Sequence, residues 1–168
     1  MLDIKQKNEW QFIDPELNLI YPWYTKSFLD ELKNWNLLDK QVLELGGGFS
    51  TLWWNAKTHY IHTVEGNEDW ISEIKKSCPL AKIFLPIEYN FNFTYDIVIL
   101  DSDWCNRDEL FEFCIEHTKN GGLLIVDNWM QPEVWVSERP DFLEKYEHYI
   151  FKQEGHPHWQ TAYFIINK

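Results

Sequence analysis

Gln41-Val-Leu-Glu-Leu-Gly-Gly-Gly-Phe-Ser-Thr51 is the stretch whose reading decides the fold. Val42 to Leu45 is apolar on both sides of its alternation except for Glu44, the pattern of a strand covered on both faces. Gly46-Gly-Gly48 then reverses the chain, and Ser50 and Thr51 lead into a helix running to about Lys57. A buried strand, a glycine turn and a helix form the first half of a βαβ unit.

Downstream the same alternation repeats. Tyr60 to Val64 reads as a second strand, and Asn67 caps a helix whose first turn holds Glu68 and Asp69 and whose end holds Lys75 and Lys76. Lys82 to Leu85 and Tyr95 to Leu100 are the third and fourth strands. Asn106 with Glu109 is a capping-box pattern for a helix through Leu110, Phe111, Cys114 and Ile115, which Asn120-Gly121-Gly122 ends. Leu123 to Val126 is a fifth strand. Pro132 and Pro140 mark helix starts, and Glu147 to Lys152 and Thr161 to Ile166 are strands joined by a loop, Gly155 to Gln160. Such alternation predicts a doubly wound, Rossmann-like α/β sheet, mostly parallel, of about seven strands with a C-terminal antiparallel hairpin. Upstream, Phe28, Leu32 and Trp35 recur at helical spacing, with Thr25 or Ser27 as cap, and the first twenty residues read as an irregular arm. The expected organisation is one domain over 1–168, with 1–40 an N-terminal arm and helix and 41–168 the core.

Composition bounds the function. A chain of 168 residues buries roughly 70% of its unfolded surface, and 10 Trp, 8 Tyr and 11 Phe supply much of that core. A net charge of -12 lacks the footprint of a nucleic-acid or anionic-membrane binder. Cys78, Cys105 and Cys114 form no CxxC pair, which disfavours a disulfide framework or thiolate zinc site. With no signal peptide or spanning apolar run, the expectation is a cytoplasmic protein.

In doubly wound sheets ligands bind beyond the carboxyl ends of the strands. Here those ends carry Gly46, Gly47 and Gly48, then Glu65, then Asp101 and Asp103, then Asp127 and Asn128. The glycines let a backbone approach a ligand and aim amides at its negative end. They lack GxGxxG spacing and a following GK[ST], which weakens NAD and NTPase readings. Glu65 follows Glu44 by about 20 residues, the spacing at which an acid grips ribose hydroxyls.

These residues resemble the class I S-adenosylmethionine-dependent methyltransferases. Val42 to Thr51 is similar to the family's first motif. Thr63-Val-Glu65, Tyr95 to Asp101 and Gly121 to Asp127 are similar to its later strand-end motifs, and the final hairpin to its reversed last strand. The resemblance implies S-adenosylmethionine as cofactor, with Glu44, Gly46, Gly47, Gly48 and Ser50 around its methionine part, Glu65 at its ribose, Pro86-Ile87-Glu88 near its adenine, and Asp101 facing the transferred methyl. Asp101, Asp127 and Asn128 also match the positions at which cation-dependent O-methyltransferases hold magnesium. Their oxygen donors suit that ion. Trp104 stands where the catechol enzymes carry a lysine base.

For a general base the sequence offers Asp101, His156 and His158. His59 and His62 read as structural, Arg107 as an anion ligand or a helix start, and Trp53 and Trp54 as core. Trp10, Trp23, Trp129, Trp135 and Trp159 are candidates for the wall of a pocket for a flat or apolar acceptor. The expected activity is methyl transfer to a small-molecule or other modest acceptor, at oxygen. The alternative is a Rossmann-like domain that binds an adenosine ligand or a protein partner without catalysis. The sequence leaves oligomeric state open.

Overall fold

In the computed structural model, which describes residues 11–58, 60–88, 92–102, 106–129 and 140–168, the chain opens with a two-stranded antiparallel ladder of β1 (Ile13–Asp14) and β2 (Leu19–Ile20), followed by α1 (Lys26–Leu32). The alternation then runs β3 (Val42–Leu45), α2 (Phe49–Thr58), β4 (Ile61–Val64), α3 (Glu68–Ser77), β5 (Lys82–Phe84) and β6 (Tyr95–Leu100). It continues with α4 (Arg107–His117), β7 (Thr118–Val126), α5 (Pro140–Lys145), β8 (Glu147–Gln153) and β9 (His156–Ile166).

Seven strands form one sheet in the order β5-β4-β3-β6-β7-β9-β8. The first five are mutually parallel, and β9 runs antiparallel to both neighbours. The order turns at β3, from which the chain builds outward to β5 on one side and to β8 on the other. The carboxyl ends of β3 and β6 therefore flank the crevice where such sheets bind ligands.

Strand alternation divides the apolar residues between two layers. Leu43, Val98 and Leu124 face the layer holding Phe111, Trp129 and Phe164. Val42, Ile97 and Ile125 face the layer holding Phe28, Trp53 and Trp54. Each such side chain, fully buried, contributes about 1.5–3 kcal/mol. Trp53 and Trp54 meet edge to face at 5.0 Å, and the Trp53 indole donates to Asp14 at 2.8 Å. Buried His62 pairs with the Tyr95 hydroxyl at 2.7 Å, and both read as core.

Three expectations need correction. The arm before α1 is not wholly irregular, because the ladder of β1 and β2 lies in it. Asn120-Gly121-Gly122 does not follow a helix end directly. α4 stops at His117, and the tripeptide lies inside β7, where the pairing with β6 shifts register between Tyr95 and Ile97. Gly155 to Gln160 is a loop only in part: Gln153 pairs with His156 across a turn of Glu154 and Gly155, and the register then shifts so that residues 157–159 have no partner on β8 before Gln160 pairs with Lys152. Gly155 takes a left-handed φ of 75 in that turn, a conformation that favours glycine. Pro132 lies outside the described residues.

Candidate functional site

Beneath the glycine turn sits Glu44, fully buried in β3. Its carboxylate accepts from the hydroxyls of Ser50 and Thr51, each at 2.5 Å, and of Thr63 at 3.0 Å. Burial pushes its pKa up to about 7 against those three bonds. Thr51 in turn accepts the Gly48 N–H at 3.1 Å. Glu44 therefore fastens the turn and the start of α2 from below, and it does not line the cavity above.

Gly46 adopts φ +95 and donates its N–H to the Val64 carbonyl at 2.9 Å. A Cβ there would fall 2.2 Å from the Asp101 carbonyl oxygen, so β3 and β6 meet at a point only glycine can occupy. At the end of β4, Glu65 accepts from Gly47 N at 2.7 Å and from Asn67 N at 2.6 Å, one bond to each carboxylate oxygen. The Asn67 side chain accepts from Asp69 and Trp70 amides and caps α3. This brings Trp70, in the first turn of α3, beside Gly48 and edge-on to Phe49 at 5.2 Å between centroids. Trp23, from the segment ahead of α1, meets Phe49 at 6.4 Å.

These groups enclose an open cavity of about 550 Å³ lined by Trp23, Gly46–Ser50, Glu65–Asn67, Trp70, Asp101 and Ser102. Of the predicted cofactor residues, Gly46, Gly47, Gly48, Ser50, Glu65 and Asp101 meet there. Phe49, Trp70, Asn67 and Ser102 were not foreseen. Their only signal was adjacency to the motifs. Pro86 approaches Gly66, but the Pro86–Glu88 turn does not line the cavity.

The remaining candidates fall elsewhere. His156 and His158 are exposed near the start of β9; they lie toward the carboxyl end of the sheet, but neither lines the cavity. Trp129 is core. Asp103, Trp104, Trp10, Trp135 and His59 lie outside the described residues. Arg107 is no anion ligand at a surface: it is buried, donating to the carbonyls of Ser102 at 3.1 Å, Asp127 at 2.7 Å and Asn128 at 3.3 Å.

The predicted magnesium set does not fit that ion. Asp127 is 2% exposed and does not line the cavity. Its Oδ1 accepts the Thr161 hydroxyl at 2.6 Å, and the Asn128 backbone and Trp159 side chain also donate to its carboxylate. Burial raises its pKa to about 7, although those donors and the charge of Arg107 oppose the shift. Asn128, at φ 53, does not line the cavity either. Among the described residues, no three His, Cys, Asp or Glu side chains converge as a metal set. A magnesium ligand must offer its oxygen to the ion and to the waters that the ion retains. Asp127 instead offers its oxygens to protein donors.

No protein-family model matches the chain, and no curated protein matches it. Solved structures do. An O-methyltransferase from Bacillus cereus bound to S-adenosylhomocysteine is 15% identical, with 74% of this chain and 73% of that one aligned at a TM-score of 0.55. The O-methyltransferase TomG from Streptomyces achromogenes, bound to S-adenosylmethionine, is 15% identical over 84% and 77% at 0.57. The N-methyltransferase NodS from Bradyrhizobium japonicum is 10% identical over 77% and 87% at 0.54. The seven-stranded sheet with its reversed strand β9 is the fold of the class I S-adenosylmethionine-dependent methyltransferases.

Proposed function

We propose that this protein transfers the methyl group of S-adenosylmethionine to a small-molecule acceptor, at oxygen. The observation that carries the reading is the cavity at the β3/β6 crevice, where the glycine turn and a ribose-type acid meet. S-adenosylmethionine supplies, when bound, an electrophilic methyl on a sulfonium centre.

The residues present fit that molecule. Gly48 leaves room for it, since a Cβ there would meet only Trp70, at 3.9 Å, whereas Gly46 and Gly47 let the turn pack against Asp101 and Thr63 beneath. Each Glu65 oxygen takes one backbone bond and keeps a lone pair for a vicinal hydroxyl. A ribose phosphate would be repelled there. Asp101 and Glu65 give the cavity a negative lining suited to a cation. Trp23, Phe49 and Trp70 give the cavity an aromatic side, and Asp101, just past the end of β6, is the lining carboxylate assigned to take a proton from an acceptor hydroxyl, with Glu65 assigned to the ribose. Likeness to both O- and N-methyltransferases leaves the acceptor atom to the acceptor-side residues. Oxygen is favoured because a hydroxyl needs a base in reach, and Asp101 supplies one.

Calorimetry tests the reading: S-adenosylhomocysteine at up to millimolar concentration should bind with one site and raise the melting temperature. Absence of heat and of stabilisation, with binding of NADH, overturns it.

A further inference from the structure

Residues 23–25 approach the cavity as a strap, and each has one task. Trp23 forms part of the cavity wall. Tyr24 is fully buried and its hydroxyl accepts the Trp54 indole N–H at 3.3 Å. Thr25 occupies the N-cap position of α1 but makes no side-chain cap bond, and its buried hydroxyl has no partner among the described residues. The first amides of a helix need acceptors. Here the terminal hairpin supplies them: Thr25 N donates to Thr161 Oγ1 at 3.0 Å and Lys26 N to Gln153 Oε1 at 2.9 Å.

Thr161 is thereby a two-way joint. Its oxygen accepts from Thr25, so its single proton goes to Asp127 Oδ1. Thr25 and Thr161 are fully buried and Asp127 nearly so. The chain Thr25 N–H···Thr161 O–H···Asp127 runs from the strap to the end of β7, and Arg107 holds that strand end by the carbonyls of Asp127 and Asn128. The three donors to Asp127 satisfy a carboxylate that would otherwise be buried without partners.

We propose that Asp127 and Thr161 are positioning residues that hold Trp23 against the cofactor cavity, and that Asp127 is an anchor for this strap and no ligand for a divalent cation. The assignment rests on the cofactor reading of the cavity for its consequence, but the anchor itself stands on the bonds alone.

The test uses the full chain with S-adenosylhomocysteine and Mn²⁺ as probes. Thr161→Val should speed hydrogen exchange of the Thr25 amide at least tenfold while leaving amides of α4 unchanged, and should weaken S-adenosylhomocysteine three- to tenfold. Thr161→Ser should restore both. Thr25→Pro removes the same donor, and its fixed φ suits the observed -56. It should reproduce the affinity loss, and the double variant should lose no more than either single one. Paramagnetic resonance of the wild type with equimolar Mn²⁺ should show free ion only. Bound Mn²⁺ that disappears in Asp127→Asn overturns the anchor in favour of a metal site. Unchanged Thr25 exchange in Thr161→Val overturns it directly. If the wild type binds no S-adenosylhomocysteine, the cofactor reading fails while exchange and resonance still decide the anchor.

Discussion

The Glu65 carboxylate accepts the Gly47 amide at 2.7 Å, and so joins the β3–α2 turn to the end of β4. Its other oxygen accepts the Asn67 amide at 2.6 Å and sets the start of α3. One side chain thus fixes two walls of the cavity and presents the acid expected to face a ribose. Structural and binding roles fall on the same atoms, and substitution must separate them.

Glu65→Ala should lower affinity for S-adenosylhomocysteine by about 1.5–3 kcal/mol, and stability by about 1–3 kcal/mol because two amides lose their acceptor. Glu65→Gln keeps one acceptor oxygen. Its NH₂ meets the other backbone amide as donor to donor, so stability still falls, while a ribose hydroxyl can turn to accept from it and affinity should lie closer to wild type. Calorimetry alongside urea unfolding checks this. Affinity and stability falling in strict proportion across both variants would mark the residue as structural only.

Two glycines with positive φ should respond differently to alanine. At Gly121, φ +76 and open space leave only the backbone penalty, about 1–2 kcal/mol. At Gly46 the same penalty adds to a Cβ at 2.2 Å from the Asp101 carbonyl, and the loss should reach about 3 kcal/mol or more. Urea midpoints measure both; similar losses would mean that the strand ends can part.

The buried acid predicts a pH dependence. Burial raises the Glu44 pKa from 4.5 to about 7, so between those values the folded state holds a proton that the unfolded state has released. Stability from this group is therefore lost as pH rises from about 4.5 through 7, by up to about 3 kcal/mol. Glu44→Gln removes the dependence, so the stability of wild type relative to the variant should fall between pH 4.5 and 8. Unfolding free energies at those two pH values measure it, and a constant difference would mean Glu44 titrates normally.

The parallel sheet was legible because the strands Val42 to Leu45, Tyr95 to Leu100 and Leu123 to Val126 are apolar on both faces apart from Glu44 and Asp96, and little else folds such runs. The caps at Asn67 and Asn106 were legible too: both side chains accept from amides in the first turn of their helices. The glycine turn and Glu65 stood out because strand-end positions carry ligands in this class of sheet. Asp127 misled. Its place at a strand end signals a metal-type position, but a sequence does not show which donors surround an acid.

What the sequence by itself determined is therefore the order of strands and helices and the set of polar residues at one end of the sheet, since local periodicity and turn chemistry act over a few residues. Only tertiary structure decided which of those residues face the cavity. Thr161 lies 136 residues from Thr25 and 34 from Asp127, and its two bonds exist because β9 returns antiparallel beside β7. Trp23 meets Phe49 from a segment that the same hairpin holds through Thr25 and Lys26. Burial and hydrogen-bond partners belong to the packed chain, and they surround Asp127 with protein donors and put Glu44 beneath the site.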